Sequence, residues 1–245
     1  MTIAASPAVP PRIGVLLINL GTPDAPEPVA VRRYLKEFLS DQRVVELPKL
    51  LWQPILRGII LTTRPRKSAH AYAMVWTDQG SPLAAITQRQ ASGLQALLGD
   101  QVLVSYAMRY GNPAIGPAID KMIAAGVDRI LIAPLYPQYS GATTATVVDA
   151  VGRHLASLRA QPSLRFLPPY FDQQDHIAAL ASSLNKQLAR LDFTPDILVA
   201  SYHGMPQRTY ELGDPYYEQC LRTTELLSAA MGRSIETAFQ SRFGK

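Results

Sequence analysis

The sequence predicts an α/β protein built from two Rossmann-like, doubly wound lobes of parallel sheet. Short apolar runs of strand length alternate with segments whose apolar residues recur at helical spacing, and the connections between them are short. About three predicted strands precede Ser140 and about three follow it. This alternation is typical of parallel sheets covered by helices on both faces. A single larger sheet is the main competing architecture.

The predicted elements follow from the spacing of apolar residues. Strands are predicted at residues 13–19, 102–107, 130–133, 165–167, 197–200 and 236–240. Helices are predicted where apolar residues recur one and two turns apart, beginning at Val31, Ile115, Val151 and Ile177, with a last helix at about 215–231. We therefore expect a first lobe at 12–140, with an apolar segment at about 47–72, and a second lobe at 141–245.

The last predicted strand, 236–240, is followed by only 241–245. A buried parallel strand normally has a crossover element on each side of it in the sequence, except at a terminus. We therefore expect the second lobe to be incomplete and a C-terminal segment to be missing.

Composition narrows the function classes. Lys and Arg total 24 against 19 Asp and Glu, a formal charge of +5. Such a charge could favour an anionic ligand or an acidic membrane surface, but more often it only keeps a protein soluble. Cys220 is the single cysteine, so this chain forms no intrachain disulfide and no metal site made only of cysteines, and a reducing cytoplasm is expected. The sequence has neither a glycine-rich dinucleotide fingerprint nor a Walker lysine.

Tyrosines cluster in the loops that follow the predicted strands. In open parallel sheets, ligands bind outside the carboxyl ends of the strands. Aromatic faces and a guanidinium at that edge would suit a large, flat, aromatic ligand carrying carboxylates. Two plainer interpretations stay open, namely that the arginine pairs with a neighbouring helix and that 136–140 is only a packed turn. The residues concerned are Arg109, Tyr110, Tyr136, Tyr139, Tyr170, Tyr202 and His203.

His203 follows the fifth predicted strand, and Gly204 and Pro206 form a turn behind it. A neutral imidazole can accept a proton or bind a metal near neutral pH. The alternative is a structural histidine that is held by hydrogen bonds at a strand end. The other three histidines have no comparable placement.

The longest apolar region, 47–61, is too short and too interrupted to span a bilayer, and the wider segment 47–72 has two interpretations. One interpretation is a helix buried between the lobes. The other is an apolar lip that touches lipid, with Arg57, Arg64, Arg66 and Lys67 at the headgroups. The second interpretation predicts peripheral membrane contact.

Several short motifs occur together in the order and spacing of a known family. Over about 13–245 the sequence resembles the ferrochelatases, which belong to the class II chelatases. The combination is specific, although each motif alone is weak. The motifs are Asn19-Leu20-Gly21-Thr22-Pro23, Gly80-Ser81-Pro82-Leu83, Met108-Arg109-Tyr110-Gly111, Tyr136-Pro137-Gln138-Tyr139-Ser140, Ser201-Tyr202-His203-Gly204-Met205-Pro206 and Gly213-Asp214-Pro215-Tyr216.

The resemblance implies two lobes with a porphyrin cleft between them and an enzyme that inserts Fe²⁺ into protoporphyrin IX to give haem. It implies that His203 accepts a pyrrole proton and contacts the iron. It places Leu20 on the other face of the metal. Substrate-binding residues are then expected at Arg64, Tyr72, Ser81, Arg109, Tyr110 and, from the edge argument, Tyr136.

Two departures from the family pattern matter. The family's active-site acid lies beyond Lys245, so the activity of this chain stays open. Some members carry a cysteine ligand of an iron–sulfur cluster after the tyrosine-rich segment, where this chain has Gly141. Cys220 alone gives no grounds for a cluster. No cofactor is therefore expected, and iron is the substrate. The alternatives are a tetrapyrrole-binding fragment without turnover and a related cobalt or nickel chelatase. Protoporphyrin is expected over coproporphyrin.

Overall fold

The computed structural model describes residues 12–240, which divide into two compact units. The first unit comprises the described residues up to Leu135 together with Ala142–Leu167. The second comprises Tyr136–Gly141 and the described residues from Pro168 onward.

The first unit is built on a four-stranded parallel sheet with the strand order β2-β1-β3-β4. The central strand carries an unbroken apolar run, which is typical of a strand buried on both faces, and Leu16 and Ile18 are fully buried. The strands are β1 (Arg12–Thr22), β2 (Val102–Gly111), β3 (Val127–Pro134) and β4 (Ser163–Phe166).

Helices cover both faces of this sheet. Ala91 of one helix packs with Val15 and Leu17 on one face, while Met122 of another lies against Gly14 on the opposite face. The helices of this unit are α1 (Pro28–Ser40), α2 (Lys49–Ile55), a π-helical turn (Leu56–Ile60), α3 (Leu61–Val75), α4 (Pro82–Leu98), α5 (Ile115–Ala124) and α6 (Thr144–Leu155).

The second unit has a smaller sheet of two parallel strands. Its core is formed by Ala181, Leu227 and Ile235, with partly buried apolar residues packed around them. The elements are α7 (Gln174–Leu188), β5 (Val199–His203), α8 (Gln207–Glu211), α9 (Tyr216–Met231) and β6 (Glu236–Gln240).

The structure confirms the predicted α/β class with parallel sheets, and each predicted strand overlaps an observed one. The lobe boundary at 140/141 needs correction. The strand predicted at 165–167 forms β4, which pairs with β3 of the first sheet, so Ala142–Leu167 belongs to the first unit. Helix α4 was not predicted, because its buried positions are Thr87 and Ala91 and its apolar periodicity is weak.

Gly21 allows an unusually close approach between β1 and β2. Its φ is +110°, and a Cβ at this position would lie 1.8 Å from the carbonyl oxygen of Tyr110. A side chain here would meet both a disfavoured backbone conformation and a backbone clash. Glycine at this position therefore keeps the ends of β1 and β2 in register.

We predict that Gly21→Ala lowers the free energy of unfolding by more than about 2 kcal/mol, because strain and clash act together. The matched control is Gly93→Ala in the middle of α4, where nothing lies within 4 Å of the added Cβ. This control should raise stability by about 0.5–1 kcal/mol through helix propensity. Urea denaturation measures both effects, and a Gly21→Ala midpoint equal to that of wild type would contradict the prediction.

Candidate functional site

Arg109 lies at the carboxyl end of β2 and is buried, with 8% of its side chain exposed. Its Nε donates to the backbone oxygen of Thr146 in α6 at 2.8 Å, and its terminal nitrogen pairs with the carboxylate of Asp41. The guanidinium carbon also lies 4.2 Å from the centre of the Tyr110 ring. A buried guanidinium needs such partners, because an unpaired buried charge is costly.

Tyr110 shares the same carboxylate. Its hydroxyl donates to Asp41 at 2.9 Å, and the residue is fully buried. Burial raises the pKa of this phenol well above its usual range, so the hydroxyl stays a donor at neutral pH. Its ring meets Phe38 edge-on at 5.0 Å, and Phe38 stacks on Tyr34.

These contacts decide between two interpretations of Arg109 and Tyr110. Arg109 pairs with the carboxylate directly after α1, which is the plainer of the two interpretations that the sequence left open. The Tyr110 ring has no exposed face on which a ligand could stack. The geometry therefore favours a positioning role for both residues, with Asp41 as the shared acceptor.

The segment 136–140 forms a packed turn on α9. The backbone N–H of Tyr139 donates to Gln219 at 2.7 Å, and Gln138 donates to Thr223 at 3.0 Å. This is the plainer interpretation of the tyrosine-rich motif. It explains the residue types, since the glutamine and the serine anchor the turn while Tyr139 is half-buried.

Asp214 joins two of the sequence motifs inside the second unit. Its Oδ2 accepts hydrogen bonds from the hydroxyl of Ser140 at 3.0 Å and from the backbone N–H of Gly141 at 2.7 Å. Its Oδ1 accepts from the backbone N–H of Tyr216 at 3.0 Å. The motifs that end at Ser140 and Tyr216 thus meet at one carboxylate.

His203 is the last residue of β5, and its side chain is exposed while its backbone is held. It lies opposite Gln240 in the parallel pairing, and the next amide, that of Gly204, donates to the Gln240 oxygen at 2.6 Å. A Cβ on Gly204 would lie 2.8 Å from that oxygen, so the turn needs a small residue.

A cavity of about 450 Å³ lies beside this turn within the second unit. Its apolar wall is aromatic, because Tyr217 stacks on Phe239 at 5.3 Å and meets Tyr210 at 5.5 Å. Burial raises the pKa of Tyr216 above its usual range and that of the neighbouring Cys220 thiol to about 11. Both groups are therefore neutral at physiological pH.

The remaining predicted residues are spread over several segments of their units, and only Arg64 and Tyr72 share an element. Leu20 is half-buried near the end of β1, and Ser81 is buried at the start of α4. Arg64 is exposed on α3, while Tyr72 on the same helix meets Tyr34 edge-on at 6.4 Å. Tyr136 is half-buried at the start of the second unit. Tyr72 is thereby linked to Tyr110 through Tyr34 and Phe38.

Sequence reasoning missed the two carboxylates that organise these regions. The position of Asp41 could have indicated its role, because it directly follows the predicted helix α1. A carboxylate at that point can reach the end of a neighbouring strand. Asp214 lies within the motif Gly213-Asp214-Pro215-Tyr216, for which the sequence predicted no role. Neither builds a metal centre, since residues 12–240 contain no group of three or more His, Cys, Asp or Glu placed to hold an ion.

We predict that Asp41→Asn lowers the free energy of unfolding by about 3 kcal/mol, because it leaves the buried Arg109 charge without its counter-charge. The matched control is Asp24→Asn, which breaks the exposed pair with Arg33, whose side chain is 68% exposed. That change should cost less than about 1 kcal/mol. Equal losses for the two variants in urea denaturation would contradict the buried-pair account.

Comparison with known proteins places these motifs in one family. The sequence model described as Ferrochelatase matches residues 12–245. A ferrochelatase of Bradyrhizobium sp. strain BTAi1 is 52% identical over 240 residues, covering 95% of this chain and 68% of that protein. A ferrochelatase of Mesorhizobium japonicum is 49% identical over 251 residues, covering 100% and 71%.

Solved structures agree at the level of the fold. The sirohydrochlorin chelatase SirB from Bacillus subtilis subspecies spizizenii, in complex with cobalt, is similar with a TM-score of 0.51 at 10% identity, over 93% of this chain and 67% of that one. SirB from Bacillus subtilis with Fe³⁺ has a TM-score of 0.53 at 10% identity, over 96% and 68%. The family match over residues 12–245 and the relatives at about 50% identity show that the chain belongs to the ferrochelatase family.

Proposed function

We propose that this protein inserts ferrous iron into protoporphyrin IX and so forms haem. The observation that carries the proposal is the family match over residues 12–245 together with about half-identical relatives named ferrochelatase. The ordered motifs agree with it, because four of the six lie at or directly after strand ends, while the other two precede α4 and α9.

The reaction exchanges two inner pyrrole protons for one divalent ion, with no change in the oxidation state of the iron. Iron is a substrate here, and the chemistry requires no nucleotide or redox group. The absence of an iron–sulfur cluster remains a prediction, which rests on Cys220 being the single cysteine.

His203 is the proposed proton acceptor. The residue is exposed and its backbone is held by the pairing with β6, which fits a base that must be accessible and well positioned. A site that bends the macrocycle would expose the nitrogen lone pairs, so binding would supply part of the transition-state distortion.

The proposed contacts with the macrocycle are made by Leu20, Arg64, Tyr72, Ser81 and Tyr136. The buried network of the first unit favours a different role for Arg109 and Tyr110. They would hold the strand ends near Leu20 in place, since Asp41 and Thr146 already occupy their polar atoms.

We predict that His203→Ala lowers kcat for zinc or ferrous insertion by about 10²–10⁴, the range typical of a lost general base. Porphyrin fluorescence follows the reaction. His70→Ala is the matched control, because His70 is likewise exposed and has no proposed role in proton transfer. Unchanged turnover in His203→Ala would contradict the role of this residue.

The same assay distinguishes a ferrochelatase from a tetrapyrrole-binding protein and from a related chelatase. Porphyrin binding without insertion of any metal would favour a tetrapyrrole-binding protein without turnover. Faster insertion of cobalt or nickel than of iron would favour a related chelatase. Comparing protoporphyrin with coproporphyrin tests the expected substrate preference.

We also propose peripheral membrane contact through an apolar surface on α2 and the π-helical turn. Leu50 is 90% exposed and Leu51 65%, and Ile55 and Ile59 are exposed beside them. Four basic residues of the same segment, Arg57, Arg64, Arg66 and Lys67, are exposed as well, which suits anionic headgroups. No helix in the described part of the chain has the length and apolar character needed to cross a bilayer.

We predict that Leu50→Asn/Leu51→Asn lowers binding to vesicles containing anionic phospholipid by at least about tenfold, because two apolar side chains no longer enter the interface. Leu97→Asn is the control, since Leu97 is 84% exposed on α4, outside this surface. Vesicle sedimentation measures the binding. The proposal fails if wild type and the double variant bind equally.

A further inference from the structure

A second cavity is lined only by residues of the first unit. It has a volume of about 670 Å³ and lies between α1, the segment after it, the start of α2 and one face of α6. The guanidinium of Arg109 contributes to its lining. The volume falls within the range of small-molecule sites, which is about 300–1,000 Å³.

Every side chain that lines this cavity is polar or charged. A porphyrin ring needs apolar and aromatic walls, so this cavity does not suit the macrocycle. Its natural occupant is a small, highly polar molecule.

The charges of the lining side chains indicate whether the bound molecule is an anion or a cation. Six lining side chains are cationic and three are anionic, which leaves a net charge of +3. The acids are Glu37, Asp41 and Asp149, and the cations are Arg33, Lys36, Arg43, Lys49, Arg109 and Arg153.

Three of the cations already have carboxylate partners. Arg109 pairs with Asp41, Arg43 with Asp149, and Arg33 with Asp24 outside the cavity. In the described part of the chain, the other three form no ion pair with a carboxylate, namely Lys36, Lys49 and Arg153. Glu37 accepts the backbone N–H of Gly111.

Two of the paired residues, Arg43 and Asp149, form part of the wall. Arg43 donates from Nε and a terminal nitrogen to the two oxygens of Asp149, at 2.5 and 3.2 Å. This bond lowers the pKa of Asp149, so the pair stays ionised at neutral pH. Because Arg109 is buried and bonded both to α6 and to the residue after α1, its part of the cavity lining is formed before any ligand arrives.

We propose that this cavity binds a small multivalent oxyanion, either a phosphate or a di- or tricarboxylate, through Lys36, Lys49 and Arg153. The two ligand types share charged oxygens that accept hydrogen bonds from ammonium and guanidinium groups. The carboxyl end of α1 faces the same cavity and favours cations, which offsets part of the attraction without reversing it.

Isothermal titration calorimetry with inorganic phosphate, pyrophosphate and citrate, at constant ionic strength and without porphyrin or iron, tests the proposal. We expect one site per chain for at least one of these anions. Lys36→Gln and Lys49→Gln should each weaken it about tenfold, and together about a hundredfold, because each removes a charge-assisted hydrogen bond. Lys121→Gln/Lys186→Gln is the control, with the same charge change on exposed residues of α5 and α7.

The outcomes separate clearly. Binding of phosphate alone or of citrate alone supports the proposal and identifies the ligand type. No binding of any of the three anions overturns it, and so does equal weakening by the control pair, which would indicate a general effect of net charge. Because the titration contains no porphyrin, its result is independent of the ferrochelatase activity.

Discussion

The ion pair between Arg109 and Asp41 is the constraint on which the first unit depends. A guanidinium that is 8% exposed is tolerated only when its hydrogen bonds and charge are matched. Its partners come from α6 and from the residue that follows α1, so one side chain holds the end of β2 to both helices. The same carboxylate accepts a hydrogen bond from the Tyr110 hydroxyl. The Tyr110 ring is the first of a series of contacting aromatic rings that ends at Tyr72 on α3.

The second unit uses a carboxylate in a similar way. The Asp214 carboxylate accepts hydrogen bonds from two backbone N–H groups and from the Ser140 hydroxyl. These bonds hold the turns at 140–141 and 213–216 together. His203 differs from these residues, because its backbone is anchored and its ring is exposed. His203 therefore stands at a strand end with its backbone held, while the buried charge of Arg109 is satisfied within the first unit.

The sequence was sufficient for the fold class, because β1, β2 and β3 are apolar runs whose burial is encoded locally. It was insufficient for the pairing of β4, a strand of four residues in which Phe166 is 39% exposed, since the partner of this strand is chosen by tertiary packing. It placed Arg109 at a strand end but could not tell that the side chain turns inward. That direction depends on Asp41, which is 68 positions away in the chain.

A double-mutant cycle between Asp41→Asn and Arg109→Met, read out as free energies of unfolding, is the most direct test of this account. A buried, hydrogen-bonded pair predicts a coupling energy above about 2 kcal/mol. The double variant should then lose less free energy of unfolding than the two single variants lose together. A coupling energy near zero would show that Arg109 and Asp41 act independently, and it would contradict the central role given to their contact.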